Sequence, residues 1–148
     1  MSSGYDEETI KIIKSVFPEI VIEGQLIKIN QGKKNCFNFE IESNYIYIKW
    51  LSKCGIIKGS YFLDKISILV TKLRKIGKII EYIKLIDISN KQICNIPICL
   101  TTIKILTTGK SWYNKFGYKS KKYENEVKVN EIIIKKKYKD FIIDLKKN

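Results

Sequence analysis

The sequence predicts a mixed α/β layer fold, with a largely antiparallel sheet flanked by helices, and three observations carry that expectation. Two adjacent runs, "CFNFEIES" and "NYIYIKWL", alternate apolar and polar residues with the period of a half-buried strand. At Ser60 the period changes, and Phe62, Ile66, Leu69, Leu73 and Ile76 follow at helical spacing. At Lys78 β-branched residues return in "KIIEYIKLIDIS". Strands, helix, strand and helix in that order make a layered α/β domain.

Each element has its own local reason. In "DEETIKIIKSV" the acidic residues suit a helix N-terminus, Ile10, Ile13 and Phe17 share one face, and Pro18 ends the helix. "EIVIEGQLIKIN" is β-branched, and Gly24 breaks it into two strands or marks a bulge. "QGKKN" is a turn. The next two runs form an antiparallel hairpin. Its faces set Phe37, Phe39 and Ile41 against Asn38 and Glu40, and Ile46, Ile48 and Trp50 against Tyr45, Tyr47 and Lys49. The helix at 61–77 has Ser60 to cap its start and Gly77 its end. A buried strand spans 80–88 and ends near Asp87–Ser89. Pro97 suits the first turn of the following helix, which carries Cys99, Ile103 and Leu106 on one face. A short helix or a continuation spans Lys110 to Phe116. The tail "NEIIIKKKYKDFIIDLKKN" reads as a helix over 131–146 behind an Asn130 cap, or as two strands.

Bulk properties bound the function. At 148 residues the chain is expected to form one domain able to bury a core. Isoleucine supplies 30 residues, and Arg74 is the lone arginine among 28 basic side chains, a bias that AT-rich codons produce. The net charge of +13 suggests an anionic partner. The shortage of arginine, whose guanidinium reads bases bidentately, makes that weak, non-specific nucleic-acid binding. Cys36, Cys54, Cys94 and Cys99 show no C-x-x-C spacing and there is no histidine, so no metal site is expected. The apolar flanks of Cys94 and Cys99 suggest buried thiols in a reducing compartment. The N-terminus lacks a hydrophobic signal region, and no apolar run approaches the ~20 residues of a membrane span. The expectation is a cytoplasmic protein without a membrane partner.

One stretch, "TTGKSWYNKFGY" at 107–118, contains two incompatible signals. Its GKS matches the end of a phosphate loop, G-x-x-x-x-G-K-[ST]. The first glycine of that loop would fall at Lys104, however, the segment before it reads as helix, and too little chain follows to complete such a fold.

The second half resembles the closing motif of the GNAT (N-acetyltransferase) superfamily, in which a helix ends aromatic-Tyr-x-x-x-Gly-aromatic. Trp112, Tyr113, Gly117 and Tyr118 match it. The upstream order of elements is similar too, so the resemblance covers roughly residues 36–120. "CGIIKGSYFLDKI", "IKLIDIS" and "ILTTGKSWYNKFGY" also look like uncharacterised proteins of large DNA viruses with AT-rich genomes.

The resemblance implies acetyl-CoA as cofactor and a protein or small-molecule amine as acceptor. In that superfamily, N–H groups of a loop Q/R-x-x-G-x-G/A at a helix start bind the pyrophosphate, as any helix start can hold an anion. The corresponding loop here is "KCGIIKGSY", without the Gln or Arg and with Gly55 and Gly59 spaced differently. Lys58, Gly59, Ser60 and Tyr61 are then the cofactor-binding residues. Tyr113 falls where many of these enzymes hold a tyrosine that protonates the departing thiolate. Equally, it reads as a core aromatic at a helix end. For a general base, Glu40 and Glu42 lie on one strand, and Asp87 with nearby Ser89 lies near the end of another. Each also reads as a solvated edge group. Three classes stay open: an acyl-CoA-using transferase, a catalytically silent protein of the same fold serving a structural or interaction role, and a basic nucleic-acid-associated protein.

Overall fold

The structure is a computed structural model that describes residues 4–52, 54–86, 90–136, 140 and 146. The chain divides into two compact units, Met1–Ile86 and Asp87–Asn148.

In the first unit, α1 (Glu7–Val16) starts at Asp6, whose Oδ1 accepts from the Thr9 N–H at 2.7 Å. Those hydrogen bonds hold the Asp6 carboxyl below its usual range. A five-stranded sheet follows in the order β1 (Val21–Glu23), β2 (Leu26–Gln31), β3 (Lys34–Ile41), β4 (Tyr45–Leu51), β5 (Tyr82–Leu85). The first four strands are antiparallel meanders, because each connection is a short turn. Gly24 and Gly32 both take φ of +61°, which lets those turns reverse tightly. β5 instead runs parallel to β4, because α2 (Gly59–Lys75) intervenes as a crossover. The mixed, largely antiparallel α/β architecture expected from the sequence is present, with 45–51 and the β5 segment as neighbouring strands.

One sheet face is covered by helices. Phe17, just past α1, lies 5.9 Å from Phe37 and 5.5 Å from Phe39, and Phe62 of α2 stacks on Phe37 at 4.9 Å. Ile13, Ile27, Ile46, Ile66, Leu69 and Leu73 are fully buried around this aromatic cluster. Each such side chain contributes roughly 1.5–3 kcal/mol by leaving water. Tyr5 fastens the N-terminal segment: its hydroxyl donates to the Gln25 carbonyl at 2.5 Å and accepts from the Ile41 N–H at 3.0 Å. Burial raises its pKa above the ordinary phenol value. α2 ends as the sequence expects. Gly77, at φ +84°, lets its own N–H reach the Arg74 carbonyl and that of Lys78 reach Leu73.

Two local expectations are corrected here. Trp50 is 45% exposed rather than on the core face with Ile46 and Ile48. A bulge at Asn38/Phe39 pairs Phe39 with Ile48 but Phe37 with Leu51, so the alternation slips by one residue beyond Ile48. Lys58, not Ser60, occupies the N-cap position of α2, and no side chain caps it. Cys36 and Cys54, both 1% exposed, are joined as a disulfide with Cα atoms 5.6 Å apart.

The second unit holds a hairpin of β6 (Asn90–Ile93) and β7 (Ile96–Cys99), then α3 (Leu100–Thr108), a 3-10 helix (Trp112–Phe116) and α4 (Tyr123–Lys135). Pro97 therefore lies in a strand rather than in the first turn of a helix. Cys94 and Asn95 form the turn, with φ of 51° and 62°, the left-handed pair that a two-residue hairpin requires. A two-stranded ribbon has only edges, where proline is tolerated. Cys94 and Cys99 are exposed, which removes the buried-thiol argument for a reducing compartment. Asn130 sits inside α4 instead of capping it, and its Nδ2 donates to the Gly109 carbonyl at 2.9 Å. α4 begins at Tyr123 and its C-cap, Lys136, is extended, so no single helix covers 131–146. Most of that span beyond Lys136 lies outside the described residues.

Candidate functional site

The first candidate is the start of α2. β4 ends at Leu51, and the chain turns back through a small bridge in which Cys54 and Ile57 exchange backbone hydrogen bonds of 3.1 and 2.9 Å. Gly55 makes this turn possible at φ +57°. The disulfide ties Cys54 to β3, and Ser52 Oγ donates to the Asn35 carbonyl at 3.0 Å, so the loop is anchored at its base. Lys58 is extended and exposed, and α2 begins behind it with no acidic residue in its first turn. The Tyr61 N–H is already used, donating to the Lys58 carbonyl at 3.0 Å. That leaves the N–H groups of Gly59 and Ser60, both half-buried, at the positive end of a 17-residue helix. The Tyr61 ring is 45% exposed, with Lys65 Nζ 5.4 Å from its centroid. Lys58, Gly59, Ser60 and Tyr61 are thus brought together, as contiguous residues must be. Their chemistry suits an anion.

The second candidate is the 3-10 helix of the other unit. Ser111 and Asn114 cap it reciprocally, with the Ser111 N–H donating to Asn114 Oδ1 at 2.7 Å. Gly117 ends it in the left-handed conformation at φ +88°. Trp112 lies 5.0 Å from Tyr113 and 4.8 Å from Phe116, with Lys115 Nζ 5.4 Å from both the Trp112 and Phe116 rings. Tyr113 is half-buried and meets Tyr118 edge-on at 6.2 Å. Burial, helped by the neighbouring Tyr113, pushes the Tyr118 phenol up to about 12, and its hydroxyl is buried without a hydrogen-bond partner among the described residues. Sequence reasoning missed this pairing of Tyr113 and Tyr118. The aromatic at the motif's last position was the available signal.

The GKS tripeptide is resolved by the same segment. Gly109 is the left-handed C-cap of α3 at φ +74°, so Lys110 and Ser111 follow the carbonyl end of a helix. A phosphate needs the opposite pole. Asp87 and Ser89, the base pair selected from the sequence, lie outside the described residues. Tyr113 belongs to the second unit and the α2 start to the first.

A hollow of about 370 Å³ in the second unit is lined by residues 119–125 and contains none of the expected site residues. Among the described residues no group of three or more His, Cys, Asp or Glu side chains is placed to hold a metal ion. No helix among them is long and apolar enough to cross a membrane. Compared with protein-family models, curated proteins and solved structures, the chain matches none.

Proposed function

We propose that the chain is a GNAT-like acyl-CoA-binding protein that transfers an acetyl group to an amine on a protein or small molecule. The observation that carries this reading is the parallel β4–α2–β5 crossover, whose helix starts without a side-chain cap, without acidic residues, and directly behind Lys58. Free N–H groups at a helix start following a strand fit a pyrophosphate. Gly59 and Ser60 N–H would hold it, with Lys58 adding charge, and the thioester would supply the acetyl group. The resemblance to the superfamily gives Tyr113 the role of donating a proton to the departing thiolate. Asp87 or Ser89 would take the proton from the amine.

Binding to the folded state alone stabilises by RT ln(1 + [L]/Kd), about 2.7 kcal/mol when acetyl-CoA is at ~100 times Kd. Acetyl-CoA should therefore raise the melting temperature. Gly59→Glu should abolish the shift by placing a carboxylate at the α2 start. Tyr113→Phe should keep the shift and slow transfer, since the ring remains and the acid is gone. A flat thermal response to millimolar acetyl-CoA would reject the reading.

A second reading is favoured by the loop itself, which lacks the Gln or Arg of the superfamily motif. In it the protein is a catalytically silent relative of that fold, a virion or host-interaction component, whose lysines bind nucleic acid without sequence preference. Its affinity should fall steeply with salt.

A further inference from the structure

The sheet of the first unit has a second face, opposite the aromatic core. Alternation along β4 sends Ile46 and Ile48 into the core and Tyr45, Tyr47 and Lys49 to that other face. The parallel register then sets Tyr45 beside Tyr82 and Tyr47 beside Lys84. The Tyr45 and Tyr82 rings are stacked, 4.9 Å apart and 7° from parallel. Lys84 Nζ lies 4.9 Å from the Tyr47 centroid and Lys49 Nζ 5.6 Å from it. β5 is the last strand of its sheet, and Tyr82 is 50% exposed.

Lys84 is a cation placed beside the rings on this face. Glu40 and Glu23 are taken up by Lys49 at 2.8 Å and Lys28 at 2.5 Å, while Glu42, opposite Tyr45, forms no ion pair among the described residues. Lys84 is exposed and forms no ion pair among the described residues. On the same face Asn38 is 9% exposed, and its Oδ1 accepts no hydrogen bond among the described residues. An exposed π-surface next to an unneutralised ammonium, in a chain of charge +13, matches a ligand that alternates flat rings with anions.

We infer that this face binds single-stranded nucleic acid, a base extending the Tyr45–Tyr82 stack and an adjacent phosphate meeting Lys84. A duplex keeps its base faces inside and can use only the lysines. This inference goes beyond the acyl-CoA reading and is separable from it. Tyr45 opens β4, whereas the α2 start follows the end of that strand.

The test is fluorescence anisotropy with labelled oligouridine, oligothymidine of equal length, and a duplex. Wild-type protein should bind the single strands more tightly than the duplex, and a preference for either sugar supports the inference. Tyr82→Ala should weaken single-strand binding about 5- to 150-fold, the range of one lost base stack. It should leave duplex binding and the acetyl-CoA thermal response unchanged. Tyr82→Phe should retain single-strand affinity. Lys84→Ala should lower the slope of log K against log salt by about one contact. Photocrosslinking of unsubstituted protein to oligouridine gives a readout independent of variant folding, and adducts should fall on Tyr45 or Tyr82. Equal affinity for duplex and single strand, a Tyr82→Ala protein that binds like wild type, adducts confined to other tyrosines, or no saturable binding would each overturn it.

Discussion

Reducing the Cys36–Cys54 bond perturbs the first unit without adding or removing a heavy atom. The bond closes a loop across a sequence separation of 18 that contains all of β4 and the turn before it. Cross-linking a loop of that length removes about 11 cal/mol/K from the unfolded chain, worth about 3 kcal/mol at 25 °C in the chain-entropy treatment. Unfolding followed by far-ultraviolet circular dichroism in urea should show the loss. With oxidised protein the transition of this unit should lie higher than with a phosphine reductant, by a difference in ΔG of about 3 kcal/mol. Cys54→Ala should show no dependence on reductant. Thiol titration supplies the independent check, because the Cys36 and Cys54 sulfurs are bonded to each other. Two thiols should react in denatured oxidised protein and four after reduction. Four reactive thiols before reduction, or coincident urea transitions in both buffers, would refute the reasoning.

Other perturbations follow from single positions. Leu69 is fully buried on the core face of α2, so Leu69→Ala should cost about 2–5 kcal/mol in equilibrium unfolding. Gly77→Ala should cost about 1–2 kcal/mol, since a Cβ at φ +84° meets the following carbonyl, and the loss should show in the same urea experiment. Tyr118 ionises near 12 rather than the ordinary 10, so its folded pKa lies above the unfolded one. Its contribution is therefore complete below pH 10 and is lost as pH rises through about 12, which ultraviolet titration of the phenolates should follow. Tyr118→Phe should remove that late phase and, by deleting a buried hydroxyl without a hydrogen-bond partner among the described residues, leave the protein at least as stable at neutral pH.

What the sequence by itself determined is what nearest neighbours along the chain decide. α2 was legible because its six buried residues repeat at helical spacing and Gly77 supplies the conformation that ends it. β3 and β4 were legible from alternation, and Lys58–Tyr61 from the simple adjacency of a lysine and a helix start. The 3-10 helix before Gly117 was legible for the same reason, its caps lying three residues apart. Tertiary structure decided whatever depends on a partner far along the chain. Trp50 left the core because a bulge opposite it, at Asn38/Phe39, moved the register by one residue. Cys36 found Cys54 only because β3 and the loop after β4 are brought side by side, a pairing that spacing does not encode. Pro97 became a strand residue because Cys94 and Asn95 accepted left-handed backbone in a hairpin that lacks the usual Asn-Gly signal. The stack of Tyr45 on Tyr82 was invisible for the same reason. A parallel register is set by how the intervening helix packs back on the sheet, and no local periodicity carries that information.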